Sequence, residues 1–309
     1  PLENARKIAS RVTSPYVNPL ADYLSAVMGE IEATAPAPRA GIWDETRIAW
    51  LKADKLHKNN PIILDGLAHA TFETNKLDPN APKDMEFLLS DADYSAEMVA
   101  AMQDKEMKPI SRDQRIIHVI AGLGLAPERK VMMARIPINE SFIALKIPYM
   151  SERKTDLTGF RVKAGDQIHN LAMISDIEAM ISRYHEDGMG LKIAGALVSG
   201  FTGYYLSEQM GGGLIGSIFN EVTQQITMPS TLGWISLPKA YHAARIILPR
   251  GIDTVTLEVL GKNGKVIDQI EQKILPHDSG LIYARSIDGR LTATSQSTRF
   301  TMNLLAAQN

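Results

Sequence analysis

The chain has 309 residues, with 33 lysines and arginines against 35 aspartates and glutamates, a formal net charge of −2 at pH 7. At about 100–200 residues per domain the length predicts two domains, and 45% hydrophobic against 22% charged residues excludes a wholly disordered chain. The near-zero charge removes the basic field a non-specific nucleic-acid binder uses, and the absence of Cys excludes disulfides, thiolate metal sites and cysteine nucleophiles.

In chain order, PLENARKIAS has no apolar run after its basic residues, so it predicts no signal peptide. In NPLADYLSAVMGEIEA, Leu20, Tyr23, Leu24, Val27, Met28 and Ile31 recur at spacings of three and four, the pattern of a helix with one apolar face. Asn18 is a suitable N-cap, with Pro19 at the first helical position. The prolines of TAPAPRAG, Pro36 and Pro38, end this helix. A second helix follows in WDETRIAWLKADKLHK, and a third opens at Asn60-Pro61 in PIILDGLAHATFETN. With TAPAPRAG set aside, the two Asn-Pro pairs stand about 34 residues apart, the tetratricopeptide period. Residues 14 to about 108 are therefore expected to be helical, with the first two helices antiparallel.

Near residue 112 the period changes. RIIHVIAGLGLAP, RKVMMARIPI and SFIALKIPYM are short Ile- and Val-rich runs broken by Gly and Pro, which predicts strands. FRVKAGDQIHNLAMIS adds a hairpin turning near Ala164-Gly165-Asp166. Helical spacing returns in SDIEAMISRYHEDG, capped by Ser175 or Asp176, and continues in Leu191–Leu206 and Leu214–Gln225. Leu191–Leu206 falls short of the roughly 20 apolar residues a spanning helix needs, so a buried core helix is the reading. The last part is β again: YHAARIILP, then TVTLEVLG and KVIDQIEQKIL about a Lys262-Asn263-Gly264 turn, then GLIYARSI and RLTATSQS. The fold class is α+β. A tetratricopeptide-like helical domain spans 1–110, and an antiparallel-β-rich domain spans 111–309, with inserted helices around 175–226 and an antiparallel region at 240–300.

Motifs that carry reactions are missing. No phosphate loop, nucleophile elbow or paired-histidine zinc helix occurs, and the seven histidines are scattered singly. GLGLAP lacks the third glycine of a dinucleotide fingerprint, and Pro127 opposes a helix behind it, so a turn between strands is expected. His185-Glu186-Asp187 reads as a solvated helix end, and the triad residue types of His277-Asp278-Ser279 are mere sequence neighbours. Trp43 and Trp50, seven residues apart, share a helical face; they are core residues or an aromatic surface for a partner.

GLGLAPERKVMMARIPI with FIALKIPYM, ISDIEAMISRYHEDGMGLKIAGAL and TLGWISLPKAYHAARIILPRG together resemble a family of Gram-negative periplasmic lipoproteins with no established enzymatic activity. The resemblance covers roughly residues 14 to 290. Its motif positions are structural in type: Gly122 and Pro127, then Trp234, Leu237, Pro238, Arg245, Pro249 and Gly251. It implies a periplasmic protein associated with the outer membrane, anchored through an N-terminal lipid that lies outside this sequence. Its partners would be other envelope proteins, in a multi-subunit complex, and neither nucleic acid nor a cofactor. The expected function is a non-enzymatic scaffold or structural subunit, with no catalytic, cofactor or metal residues and with Trp43 and Trp50 as partner-binding residues. The alternative is a cell-wall- or lipid-acting enzyme whose site is assembled from dispersed His and acidic residues.

Overall fold

The computed structural model describes residues 19–35, 38–58, 60–77, 110–111, 113–138, 141–183, 185–186, 236–274 and 279–297. Among the described residues three helices precede the strands: α1 (Leu20–Ala33), α2 (Ile42–Leu56) and α3 (Pro61–Leu77). At α3 a side-chain cap explains the start. Asn60 accepts a hydrogen bond from the Ile62 amide at 3.0 Å, and Pro61 needs no donor at the first position. At α1 the Tyr23 amide reaches the Pro19 carbonyl at 2.8 Å, so the helix begins at Leu20. Arg39 ties the α1–α2 connection, bonding Glu32 at 3.2 Å and Glu45 at 2.7 Å.

The helices run antiparallel in sequence. A Cβ on Gly29 would meet Thr46 Oγ1 at 2.5 Å, and six residues earlier Tyr23 packs edge-on against Trp50, ring centroids 5.4 Å apart. Between α2 and α3 the pairs are Trp50 with Gly66 and Trp43 with His69. As one helix advances its neighbour retreats. A Cβ on Gly66 would lie 2.4 Å from the Trp50 ring, so only glycine lets the indole lie against α3.

Among the described residues eleven strands follow: β1 (Gln114–Leu123), β2 (Glu128–Ile138), β3 (Ser141–Ser151), β4 (Leu157–Ala164), β5 (Gln167–Asn170), β6 (Ala172–Asp176), β7 (Ala240–Pro249), β8 (Thr254–Gly261), β9 (Val266–Lys273), β10 (Gly280–Ile287) and β11 (Arg290–Ser297). A five-stranded sheet runs β11-β10-β1-β7-β6, and a four-stranded sheet runs β5-β4-β8-β9. All the pairings are antiparallel except β1 with β10. Ile117, Val119 and Ala244, Ile246, Leu248 project from the first sheet onto Phe160, Val162 and Leu257 of the second. The opposite face, with Ile120 and Ala243, joins Tyr23, Val27, Trp50, Ile63 and Leu67 of the helices in a second core. The order of layers is helix, sheet, sheet. Strand β1 is buried on both faces, which is why its sequence reads as a continuous apolar run.

The chain divides into two compact units. The first gathers Pro1–Gly124, Thr155–Asp176 and Ala240–Asn309, and the second Leu125–Lys154 and Ile177–Lys239. The expected boundary at 110 is therefore corrected. The apolar stripes of the helices are covered by the sheet, so helices and sheet share one unit. Within 240–300 the strands that pair with one another, β8 with β9 and β10 with β11, are antiparallel; they are split between the two sheets, and β10 also runs parallel to β1. In the second unit, β2 and β3 form a two-stranded ribbon, and residues 177–183 are helical as expected. The expected helices at Leu191–Leu206 and Leu214–Gln225 lie outside the described residues.

The turns follow their chemistry. Gly124 (φ 58°) bends GLGLAP between β1 and β2, so the expected turn is present. Asn263 and Gly264 take φ 64° and 70° between β8 and β9, two successive positive values that suit the right-handed twist of a hairpin.

Candidate functional site

One cluster of buried charged and imidazole side chains lies at the junction of the helices with the five-stranded sheet. His118 of β1 and Arg245 of β7 are opposite one another in the register. Alternation along both strands sends the apolar neighbours Ile117, Val119, Ala244 and Ile246 to the sandwich core and turns these two residues toward the helices. From α1 comes Glu30, seven residues after Tyr23 on the buried stripe, and from α3 come Asp65 and His69, one turn apart.

Arg245 is the hub. Its Nη2 donates to Glu30 Oε1 at 2.6 Å, its Nε lies 3.0 Å from Glu30 Oε2, and its Nη1 donates to Asp65 Oδ2 at 2.9 Å. His69 Nδ1 sits 2.8 Å from Arg245 Nη2 and 2.9 Å from Glu30 Oε1. A bare Nδ1 accepts from the guanidinium, whereas a proton there points at the carboxylate and opposes the guanidinium. His69 thus has two mutually exclusive bonding arrangements. His118 Nε2 lies 3.0 Å from Glu30 Oε2 but out of line for a hydrogen bond, so its contact is electrostatic. Trp43 stands edge-on to His69, centroids 5.3 Å apart, and Glu73 Oε1 is 3.8 Å from His69 Nε2.

Burial sets the protonation states. It acts to raise the Glu30 carboxyl, but Arg245 and the His118 and His69 contacts outweigh it and hold the carboxyl well below its ordinary range. For Arg245, burial works against the charge, and Glu30 with Asp65 reverses this, so the guanidinium stays charged. Burial pushes the His118 imidazole down, against the pull of Glu30, so it is neutral at neutral pH. Burial and the Glu30 charge push the Tyr23 hydroxyl up. Among the described residues no group of three or more His, Asp or Glu side chains is arranged to hold a metal ion; the guanidinium occupies the carboxylate edge such an ion would use.

The residues singled out in the sequence scatter around this cluster. Trp50 is 0% exposed, packed between Tyr23 and Gly66, so the expectation that it meets a partner is corrected. Trp43 is half-buried on the same core. Gly122 is buried in β1 between Tyr241 and Arg285. Pro127 and Pro238 are buried and Leu237 half-buried, its carbonyl accepting from the Ala126 amide at 2.8 Å. Pro249 ends β7 exposed, Gly251 lies in the exposed turn beyond, and Trp234 is outside the described residues. Of the residues the sequence singled out, only Trp43 and Arg245 meet at the cluster. Glu30, Asp65, His69 and His118 went unnoticed as a set. The available signal was polarity out of place: an acid on a buried stripe, and His118 and Arg245 inside strand runs that are mostly apolar, although Arg115 and His242 in the same runs give the same signal without joining the cluster. No protein family, curated protein or solved structure matches this chain.

Proposed function

We propose that this chain is a non-enzymatic protein of the Gram-negative cell envelope, periplasmic and associated with the outer membrane, that scaffolds other envelope proteins or serves as a subunit of their assembly. The observation that carries this reading is the closure of the charge cluster. Glu30 is 0% exposed and its charge is met by Arg245, whose three nitrogens are all taken up by Glu30, Asp65 and His69. Groups so engaged hold helices to a sheet and have no side open to a substrate. Exposed apolar residues of the β2–β3 ribbon, Met132 and Met133, supply contact surface instead. The tetratricopeptide-like origin of the helices belongs to the same proposal, supported by their antiparallel order and the Asn60-Pro61 opening of α3. So does anchoring through an N-terminal lipid, supported by the resemblance. Among the described residues no helix is long and apolar enough to cross a membrane.

Affinity purification of the tagged chain from envelope fractions, with mass spectrometry, tests the reading. A fixed set of envelope proteins in constant ratio is expected; its absence overturns the proposal. One observation favours the enzymatic alternative: His69 Nε2 and both His118 ring nitrogens are buried without hydrogen-bond partners. Turnover of a cell-wall or lipid substrate that is lost in both His69→Ala and His118→Ala, with folding kept, would establish it.

A further inference from the structure

Two separate cores meet on the five-stranded sheet. One fills the space between the two sheets, and the other holds the helices to the opposite face through Ile120, Ile174 and Ala243. Parting at the second leaves the first packed, so helices and sandwich are distinct cooperative layers. The bonds of Arg245 to Glu30 and Asp65 cross the second junction.

At that junction His118 has no place for a second proton. It is 0% exposed, and neither ring nitrogen has a hydrogen-bond partner. Its cross-strand partners are Arg245 of β7 and the uncharged Leu281 of β10. From α1 comes Glu30, whose Oε2 is 3.0 Å from His118 Nε2 and equally far from Arg245 Nε, along with the neutral hydroxyl of Tyr23. From α3 comes His69, with Asp65 held by Arg245 and Glu73 3.8 Å from His69 Nε2. The buried acid of α2, Asp54, acts with Lys58 and His57 instead. An imidazolium at 118 would set a second cation beside the guanidinium and leave its Nδ1–H without an acceptor. Burial accordingly pushes the imidazole down; Glu30 opposes this, and Arg245 and His69 add to it. Once the helices part from the sheet, water receives both nitrogens and the proton binds at histidine's ordinary value.

A second histidine of the helix layer is built the opposite way. His57 Nδ1 is 3.0 Å from the Ile174 carbonyl of β6, and a carbonyl only accepts, so Nδ1 carries the proton. The imidazolium keeps that N–H, so acid leaves the bond in place. Asn60 Nδ2 donates to the Met173 carbonyl at 2.9 Å, a bond that has no titrating group. The α2–α3 turn therefore stays on β6 under the conditions that charge His118. We propose that the helix layer is an acid-released element of the fold, triggered by His118 and hinged at the α2–α3 turn. Release bares the stripe of Tyr23, Val27 and Ile31 and the sheet face of Ile120 and Ala243, an apolar surface that neutral pH keeps covered. Release needs only the purified chain, so it and the co-purification of partners can fail separately.

Hydrogen–deuterium exchange of the full chain at pH 8 and pH 5, corrected for the chemical exchange rate, measures the release. Protection of α1, and of α3 beyond Gly66, should fall by up to about tenfold per pH unit below about pH 6.5. Protection of β4, β8 and the first turn of α3 should hold. His118→Asn takes up no proton there and should keep the helices equally protected at both pH values; His118→Leu, made in parallel, should do the same. Helices and strands losing protection together, helices equally protected in the unaltered chain, or an acid response that persists in either folded variant would overturn the proposal. The unaltered chain gives a second reading that needs no variant. The ring protons of His118 should titrate in step with the loss of helix protection, and a ring that charges beneath fully protected helices would overturn the proposal equally.

Discussion

Replacing Arg245 with Met removes every donor of the hub while keeping most of its length. Glu30 would stay buried facing His69 and His118 alone, and Asp65 would lose its cation. Removing one partner of a buried pair costs about 3–5 kcal/mol. At a urea slope of about 2 kcal/mol per molar, that lowers the midpoint by about 2 M. The pH dependence should also reverse. In the native protein the Glu30 carboxyl sits below its unfolded value, so its contribution is present above that value and is lost as pH falls through the folded one. Without Arg245, burial dominates and the folded value rises above the unfolded one. The contribution is then complete only at low pH and drains away as pH climbs. Protonation of a neighbouring histidine to pair with Glu30 would act in the same direction. Urea titrations at pH 5 and pH 8, followed through Trp50, measure both effects, and Arg245→Met should lose more stability at pH 8. The double variant Glu30→Leu/Arg245→Met should recover most of the loss, because the charges leave together. A single-variant cost below about 1 kcal/mol, equal at the two pH values, would refute the reasoning.

Trp50→Ala should cost about 3–5 kcal/mol, seen as a lowered thermal midpoint, and leave co-purifying partners unchanged if they are there; loss of partners at full stability would restore Trp50 as a binding residue. Gly66→Ala should cost about 1–3 kcal/mol by driving a methyl into the indole, and Trp50→Phe in the same chain should relieve part of it. Asn60→Ala removes the cap on Ile62 and a 2.9 Å bond to the Met173 carbonyl of β6; a loss of about 1–2 kcal/mol is expected, with faster amide exchange in the first turn of α3. His118 faces Glu30 of α1, with Arg245 of β7 and His69 of α3 also acting on it, and its folded value is lowered chiefly by burial. The unfolded chain therefore takes up a proton that the folded one refuses, and stability should fall as pH drops below the ordinary histidine value. The slope should reach at most about 1.4 kcal/mol per pH unit, and His118→Asn should flatten it in a urea series.

The helices were legible because their apolar spacing is local, and α3 especially so because Asn60 and Pro61 perform the capping their chemistry allows. The Lys262-Asn263-Gly264 turn was legible for the same reason. What covers each apolar face was not. The period change near residue 112 is real, but it marks a change of element type; the stripe of Tyr23, Val27 and Ile31 is buried together with Ile120 and Ala243 from distant strands. Nor does any local signal pair Ile117 with Gly280 in parallel. The charge cluster lies between these cases. An Arg in YHAARIILP and a His in RIIHVIAGL stand where the strand is buried on both faces, and a buried charge demands a partner. The residues that needed one could be read, but the identity of Glu30 as the answer required the fold.

A single arginine at that junction does what apolar packing cannot. Ala26, Val27, Leu67 and Ala70 would accept small slides of α1 and α3 across the sheet with little change in buried area, because apolar contact has no direction. Arg245 bonds Glu30 of one helix and Asp65 of the other from one guanidinium, and charge-assisted bonds of 2.6 Å and 2.9 Å do not survive a slide. The same strands then carry the insertions. Leu123, one residue before the first segment of the second unit is entered after Gly124, and Asp176, which precedes the other, both register opposite Ala240, where the chain re-enters the first unit from the later segment. Arg245 lies five residues further along β7, so the helices are pinned to the same strand at which the chain re-enters the first unit. On that division of labour apolar packing supplies the area that holds the first unit's helices to its sheet, and the buried charges fix their register.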